Sequence, residues 1–176
     1  MAPILGIYAS QMSGHLSTNN FSSIATLTAS ESTSVTFSSI PQTYTHLQIR
    51  MFEFESSTGI NPRITFNGDG TGSYSWHYMI GNGSTVTAGS SASYGGFIMD
   101  QVQSTTLPNN AIVDILDYTN TNKYKTGRWL QGYDKNGSGN IGLFSGNWRN
   151  TAAITSITIS DPTFASGTQF ALYGIK

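Results

Sequence analysis

From Phe21 onward, apolar residues recur at every second position in short runs broken by Gly, Asn, Asp and Ser, and no segment keeps a helical repeat for several turns. The pattern predicts an all-β chain. Ile24 and Leu27 mark a first strand, and Val35 and Phe37 a second that stops at Ile40-Pro41, where proline removes a ladder donor. The longest predicted strand, Tyr44 to Phe54, sets Leu47, Ile49 and Met51 on a core face and His46, Gln48 and Arg50 on a solvated one. Ile64 and Phe66 run into Asn67-Gly-Asp-Gly-Thr-Gly72, and Tyr74, Trp76, Tyr78 and Ile80 alternate beyond it, which predicts a hairpin.

Residues 85–94 are so rich in Ser, Gly and Ala that they read as a loop leading to Gly95-Gly-Phe-Ile-Met99. Farther on, Ala111, Val113 and Ile115 face one way while Ile112 and Leu116 face the other, so residues 112–118 read as a central strand inside a sandwich, apolar on both sides. Residues 124–133 and 141–148 flank the turn formers Asp134 to Asn140 and predict the clearest hairpin, before final strands at 154–159 and 169–175. Roughly nine or ten such strands predict a single-domain antiparallel β-sandwich of jelly-roll type. Residues 21–176 form that domain, and residues 1–20 an extended N-terminal arm and hinge.

The apolar opening, Met1 to Ala9, is joined to the domain by the polar stretch Ser13-Gly-His-Leu-Ser-Thr-Asn-Asn20. Two readings stay open: an edge strand of its own sheet, or an arm whose Pro3, Ile4, Leu5, Ile7 and Tyr8 add a strand to a neighbouring subunit. No basic residue precedes the opening, and Ser10-Gln11 ends it far short of the roughly 20 residues a membrane span needs, so neither a signal peptide nor a membrane partner is expected.

Composition narrows the function classes. The 176 residues suit one domain, and only 10% are charged, against about 25% in an ordinary soluble domain. A net charge of -1 with no run of Lys or Arg argues against nucleic acid as a ligand. Weak mutual repulsion favours close packing between copies, and without Cys neither disulfides nor thiolate metal sites are available.

Little in the chain points to chemistry, and no catalytic residue, cofactor or metal is expected. Gly137-Ser-Gly-Asn-Ile-Gly142 has the spacing of a phosphate loop, but a strand follows it where a helix is needed. Asp134, Asn136, Ser138 and Asn140 share the rhythm of a calcium loop, yet Ser145 stands where the bidentate acid belongs. His15, His46 and His77 lie far apart, no Ser sits in a nucleophile elbow, and Asp114 with Asp117 falls on opposite strand faces. Glu53 and Glu55 read as a solvated strand face. Aromatics are more suggestive: Trp76, Tyr94, Trp129 and Trp148, with Tyr78 and Tyr133, lie near Gly- and Asn-rich loops, either exposed to stack on sugars or anchor a partner, or filling the core.

Several separated stretches carry a resemblance. They are Ala2-Pro-Ile-Leu-Gly-Ile7, Thr36-Phe-Ser-Ser-Ile-Pro-Gln-Thr-Tyr-Thr-His-Leu-Gln-Ile-Arg50, Phe66-Asn-Gly-Asp69, residues 114–125, Ala152-Ala-Ile-Thr-Ser-Ile-Thr158 and Phe170-Ala-Leu-Tyr-Gly-Ile-Lys176. Together they resemble a family of small virion structural proteins encoded by tailed phages, especially those of aquatic bacteria. The resemblance implies a non-enzymatic particle component located in the virion. A capsid decoration (cement) protein is the preferred expectation, binding copies of itself, as a trimer, and the major capsid protein. A tail fibre, baseplate or other tail-associated subunit that binds a cell-surface glycan is the alternative. A glycan-active enzyme is a third reading, disfavoured by the missing acid pair.

Overall fold

Alternation along the chain becomes twelve strands among the described residues of a computed structural model, which are residues 20–53, 61–100 and 107–176. They are β1 (Phe21–Ala29), β2 (Ser32–Phe37), β3 (His46–Glu53), β4 (Arg63–Phe66), β5 (Tyr74–Gly81) and β6 (Val86–Tyr94). The second half holds β7 (Phe97–Ile98), β8 (Asn109–Leu116), β9 (Lys125–Asp134), β10 (Gly139–Trp148), β11 (Ile157–Phe164) and β12 (Thr168–Ile175). The arm candidates Pro3, Ile4, Leu5, Ile7 and Tyr8 lie outside the described residues, as do His15, Phe54 and Glu55.

The strands form two antiparallel sheets, an eight-stranded one ordered β1-β12-β3-β8-β9-β10-β5-β6 and a four-stranded one ordered β2-β11-β4-β7. The sequence reading of an all-β antiparallel sandwich therefore holds. Its jelly-roll core is visible in the order: β1-β12-β3-β8 faces β2-β11-β4-β7, and the chain alternates between the two sheets from β1 to β4 and again from β11 to β12. Two hairpins, β9–β10 and β5–β6, are inserted into that plan and extend the first sheet beyond β8, β9 pairing with β8 and β5 with β10. One sheet is thus twice as wide as the other.

The core lies between the sheets. Leu47, Ile49 and Met51 from β3, Val113 and Ile115 from β8, and Phe170 and Leu172 from β12 meet Ile64, Phe66, Ile157 and Ile159 from the small sheet, all buried. Their parity follows directly from the period of two. Phe97 stands edge-on to Phe66 and Tyr74 at 5.3 and 5.4 Å between ring centres, joining β7 to the aromatic part of the core.

Three expectations are corrected. Residues 86–94 form β6 and not a loop, because the free edge of β5 offers a ladder that small Ser, Ala and Gly side chains can join without steric cost. Strand β8 is central in its sheet but open on its second face, where Ile112 is exposed, since no strand among the described residues covers that side. Glu53 is only 1% exposed, because as the last residue of β3 it shares the inward parity of Met51.

Candidate functional site

The uncovered outer face of the eight-stranded sheet is divided into polar and apolar halves by its strand register. One cross-strand row runs Gln48, Asp114, Arg128, Ser145, His77, Ser90, and it is polar throughout. Within it the Gln48 amide donates to Asp114 at 2.9 Å, and the Arg50 guanidinium donates back to the Gln48 oxygen at 3.1 Å. The next row begins at Arg50 and continues Ile112, Leu130, Leu143, Met79, Ala88. The row beyond it runs Phe52, Asn110, Gly132, Ile141, Gly81, Val86.

These two rows collect seven of the exposed large apolar side chains, between 43% and 69% exposed, at one end of one face. Apart from Arg50 at the β3 end, they contain no charged residue. The Arg50 guanidinium turns toward β1 and β12, sitting 5.2 Å from the Phe21 ring and 5.1 Å from the Tyr173 ring, themselves stacked at 4.7 Å. Sheet parity puts these residues here, and only the one-sided sandwich leaves them bare.

The field is not flat. A groove of about 790 Å³ crosses the ends of β3, β8, β9 and β10, walled by Leu107, Pro108, Ile112, Leu130, Tyr133 and Ile141. A smaller hollow of about 240 Å³ continues it toward the turns of the two inserted hairpins, and the two share Tyr133, Asp134, Asn140 and Ile141. Burial and the nearby Asp100 carboxylate push the Tyr133 phenol above its ordinary value, so it stays neutral and adds no charge to the groove. Just behind the groove, the buried Oδ1 of Asn109 and Oε1 of Gln131 have no hydrogen-bond partner among the described residues.

The candidate aromatics separate into two groups. Trp129 and Trp148, read as candidate exposed anchors, are buried: Trp129 stacks on Phe144 at 5.1 Å, and Trp148 packs against Phe66 at 5.5 Å. Both occupy inward positions of β9 and β10 under the small sheet, which is why they fill the core. Tyr94 is exposed, and Trp76 is half-buried beside it at the β5–β6 margin, with Tyr78 next in the row, 5.6 Å from Trp76. The Tyr78 ring lies over Gly89, where an added Cβ would meet ring atoms at 2.6 Å.

Other polar clusters are engaged in holding loops. Asp134 accepts from the Gly137 N–H at 3.1 Å, and Asn140 donates to Asp100 at 2.5 Å, so the calcium-like rhythm of that turn serves the hairpin. Gly139 belongs to β10, and the GxGxxG stretch leads into a strand. His46 Nδ1 accepts from the Asp117 N–H at 3.0 Å, while His77 lies exposed on the polar row. The Lys123 ammonium donates to the Asp117 carboxylate and, with that hydrogen bond the main cause, holds it below the usual carboxylate range. No group of three or more His, Cys, Asp or Glu converges on one point among the described residues.

Lys125 was not singled out from sequence. It is completely buried, and its ammonium donates to the carbonyls of Asn120 at 2.5 Å, Lys123 at 3.0 Å and Thr151 at 3.0 Å. Burial, reinforced by the Lys123 charge, lowers its pKa. The signal was its parity: Lys125 shares the inward register of Trp129.

No family model, no curated protein and no solved structure matches the chain.

Proposed function

We propose that the chain is a structural subunit of a tailed-phage particle that acts by binding its neighbours, with capsid decoration as its role. The observation that carries the reading is the apolar field on the open face of the wide sheet. Its two rows set seven large apolar side chains side by side, each 43–69% exposed, on one continuous face, and contiguous exposed apolar surface of that kind marks a site of association, for which about 800 Å² per partner is the normal size. Scattered apolar residues on a monomer need no explanation, but seven confined to adjacent register rows do.

Low charge supports the same reading, since a chain with 10% charged residues repels its copies weakly. The long edge strands support it too: β1 and β6, nine residues each, carry no charged residue and no proline to discourage pairing. The segments that resemble phage virion proteins supply the kind of assembly. No catalytic step belongs to this role.

A tail-associated subunit that contacts glycan is the second reading, favoured by the cluster of Trp76, Tyr78 and Tyr94 beside the hydroxyl-rich strand β6. Immunogold labelling of intact particles with antibody to this chain separates the readings. Gold over the head is expected for decoration, gold on the tail supports the second reading, and particles without gold overturn both.

A further inference from the structure

We propose that the inner face of the wide sheet, where β3 ends and β8 begins, holds a hard divalent cation of the calcium class, with the Glu53 carboxylate, Asn109 Oδ1 and Gln131 Oε1 as its protein ligands. The proposal is independent of the assembly reading.

Register brings the three side chains to one place. On the inner face one cross-strand row runs Met51, Ala111, Gln131, Gly142, and the row beyond it begins Glu53, Asn109 and continues through the pair Tyr133 and Asn140. Glu53 and Asn109 are direct partners, and Gln131 stands one strand farther on, diagonal to Asn109. Direct partners have Cβ atoms about 5 Å apart and diagonal neighbours lie about 7–8 Å apart, within reach of long side chains. Ala111, between Met51 and Gln131, carries only a methyl group, so the longer side chains around it have room to converge. The groove of about 790 Å³ borders Met51, Ala111 and Gln131, so open volume reaches this row.

Burial makes the oxygens conspicuous. Glu53, Asn109 and Gln131 are 1%, 2% and 3% exposed, and the two amide oxygens have no hydrogen-bond partner among the described residues. A buried acceptor that no donor serves costs the full desolvation of the group, so native structures keep few of them, and two on adjoining strands call for a ligand. The indole N–H of Trp129, two residues along the same strand face, is likewise without a partner, so it does not serve Gln131.

The donor set selects the ligand. One carboxylate and two amide carbonyls are hard oxygen donors, with no thiolate or imidazole to favour zinc. A water could donate to both amides, but its own lone pairs would then face a carboxylate, whereas a cation is attracted by all three groups. No Lys or Arg stands in either row from β3 to β10, and Asp100, whose Oδ2 accepts from Asn140, adds a second acid at this end. Calcium accepts irregular sets of roughly six to eight oxygens completed by water, while magnesium demands a near-ideal octahedron, so calcium fits better. With one carboxylate bound, the affinity expected is about 0.1–1 mM.

The full chain, stripped with a chelator, is melted with and without Ca²⁺ at about 10 mM, with KCl of matched ionic strength as the control. A rise in melting temperature of about 3–6 °C is expected with Ca²⁺ and not with KCl. Gln131→Met keeps the side-chain length and removes the oxygen; it is expected to abolish the rise yet to melt no lower than the parent in chelator, where that oxygen is unserved. Asp114→Asn, on the outer polar row, should keep the rise. Tb³⁺ emission excited through Trp129 and Tyr133 reads the site directly: it is expected in the parent, to fall as Ca²⁺ is added, and to be lost in Gln131→Met and Glu53→Gln. No calcium-specific rise, an equal rise in Gln131→Met, or Tb³⁺ emission unchanged in that variant overturns the proposal. If Glu53→Gln fails to fold, Gln131→Met decides alone.

Discussion

The indole N–H of Trp148 donates to Oδ2 of Asp69 at 2.8 Å, tying the last residue of β10 to the turn that follows β4. The other carboxylate oxygen, Oδ1, accepts from the backbone N–H of Thr71 at 3.0 Å, so one side chain both closes the turn and holds it to the wide sheet. Burial raises the Asp69 pKa, but the hydrogen bonds from Thr71 and Trp148 outweigh it and leave the carboxyl below its ordinary value of 3.8. A depressed folded value stabilises the fold in full above pH 3.8, and that contribution is lost as the pH falls through the lower folded value. Asp117 shifts in the same direction.

Replacing Asp69 by Ala is expected to cost about 1.5–3 kcal/mol at neutral pH, the usual range for losing hydrogen bonds to a charged group. Urea unfolding followed from pH 7 to pH 2.5 checks it, and the gap between variant and parent should narrow below pH 3.8. A gap that widens in acid contradicts the assignment.

Lys125→Met keeps the buried stem but removes the ammonium that three carbonyls share. Stranding those acceptors is expected to destabilise the domain by about 3 kcal/mol. Lys125→Arg should also fail, because the planar guanidinium is larger and cannot reproduce a compact three-donor head. Thermal unfolding of both variants decides this, and a neutral Lys125→Met is the contrary result.

Gly127 and Gly146 are cross-strand partners on β9 and β10, and the Phe97 ring lies against both. An added Cβ would lie 2.6 Å from Phe97 Cε2 at Gly127 and 2.5 Å from Phe97 Cε1 at Gly146. Gly146→Ala is expected to cost about 1–3 kcal/mol as an overpacked core. The double variant Gly146→Ala/Phe97→Leu should cost less than the sum of the singles, a coupling that equilibrium unfolding measures.

Asn67 adopts φ +52°, and its side chain accepts from the Thr155 N–H at 2.8 Å and the Ser156 N–H at 3.1 Å while donating to the Ala153 carbonyl at 2.8 Å. Asn67→Gly preserves the backbone and loses only the braces, whereas Asn67→Ala loses both. The expected order of melting temperature is parent, then Asn67→Gly, then Asn67→Ala, with about 1 kcal/mol between the variants.

Much of the architecture was legible because it depends on local parity and turn chemistry. Leu47, Ile49 and Met51 alternate with polar neighbours, and a strand with that pattern has one way to bury them. The turns at Asn67 and at Asn136-Gly137 needed positive φ, and they carry Asn and Gly where the backbone takes it. By contrast, β6 was missed because its Ser, Gly and Ala carry no strand preference of their own; the edge of β5 recruits it.

Sequence alone therefore determined which residues share a face: Trp148 with Phe144, Lys125 with Trp129, Ile112 with Leu116, since side-chain alternation is a property of each strand by itself. Whether a face is covered was decided only by tertiary structure. Both inserted hairpins extend one sheet while its partner stays four strands wide, so the mate for a given face comes from residues distant in the chain or does not exist. The small sheet lies against the inner face and buries Trp148 there with Lys125 beside it, whereas no described layer lies against the outer face and Ile112, Leu130 and Leu143 stay bare, because burial is set by the layer opposite and not by the pattern within a strand.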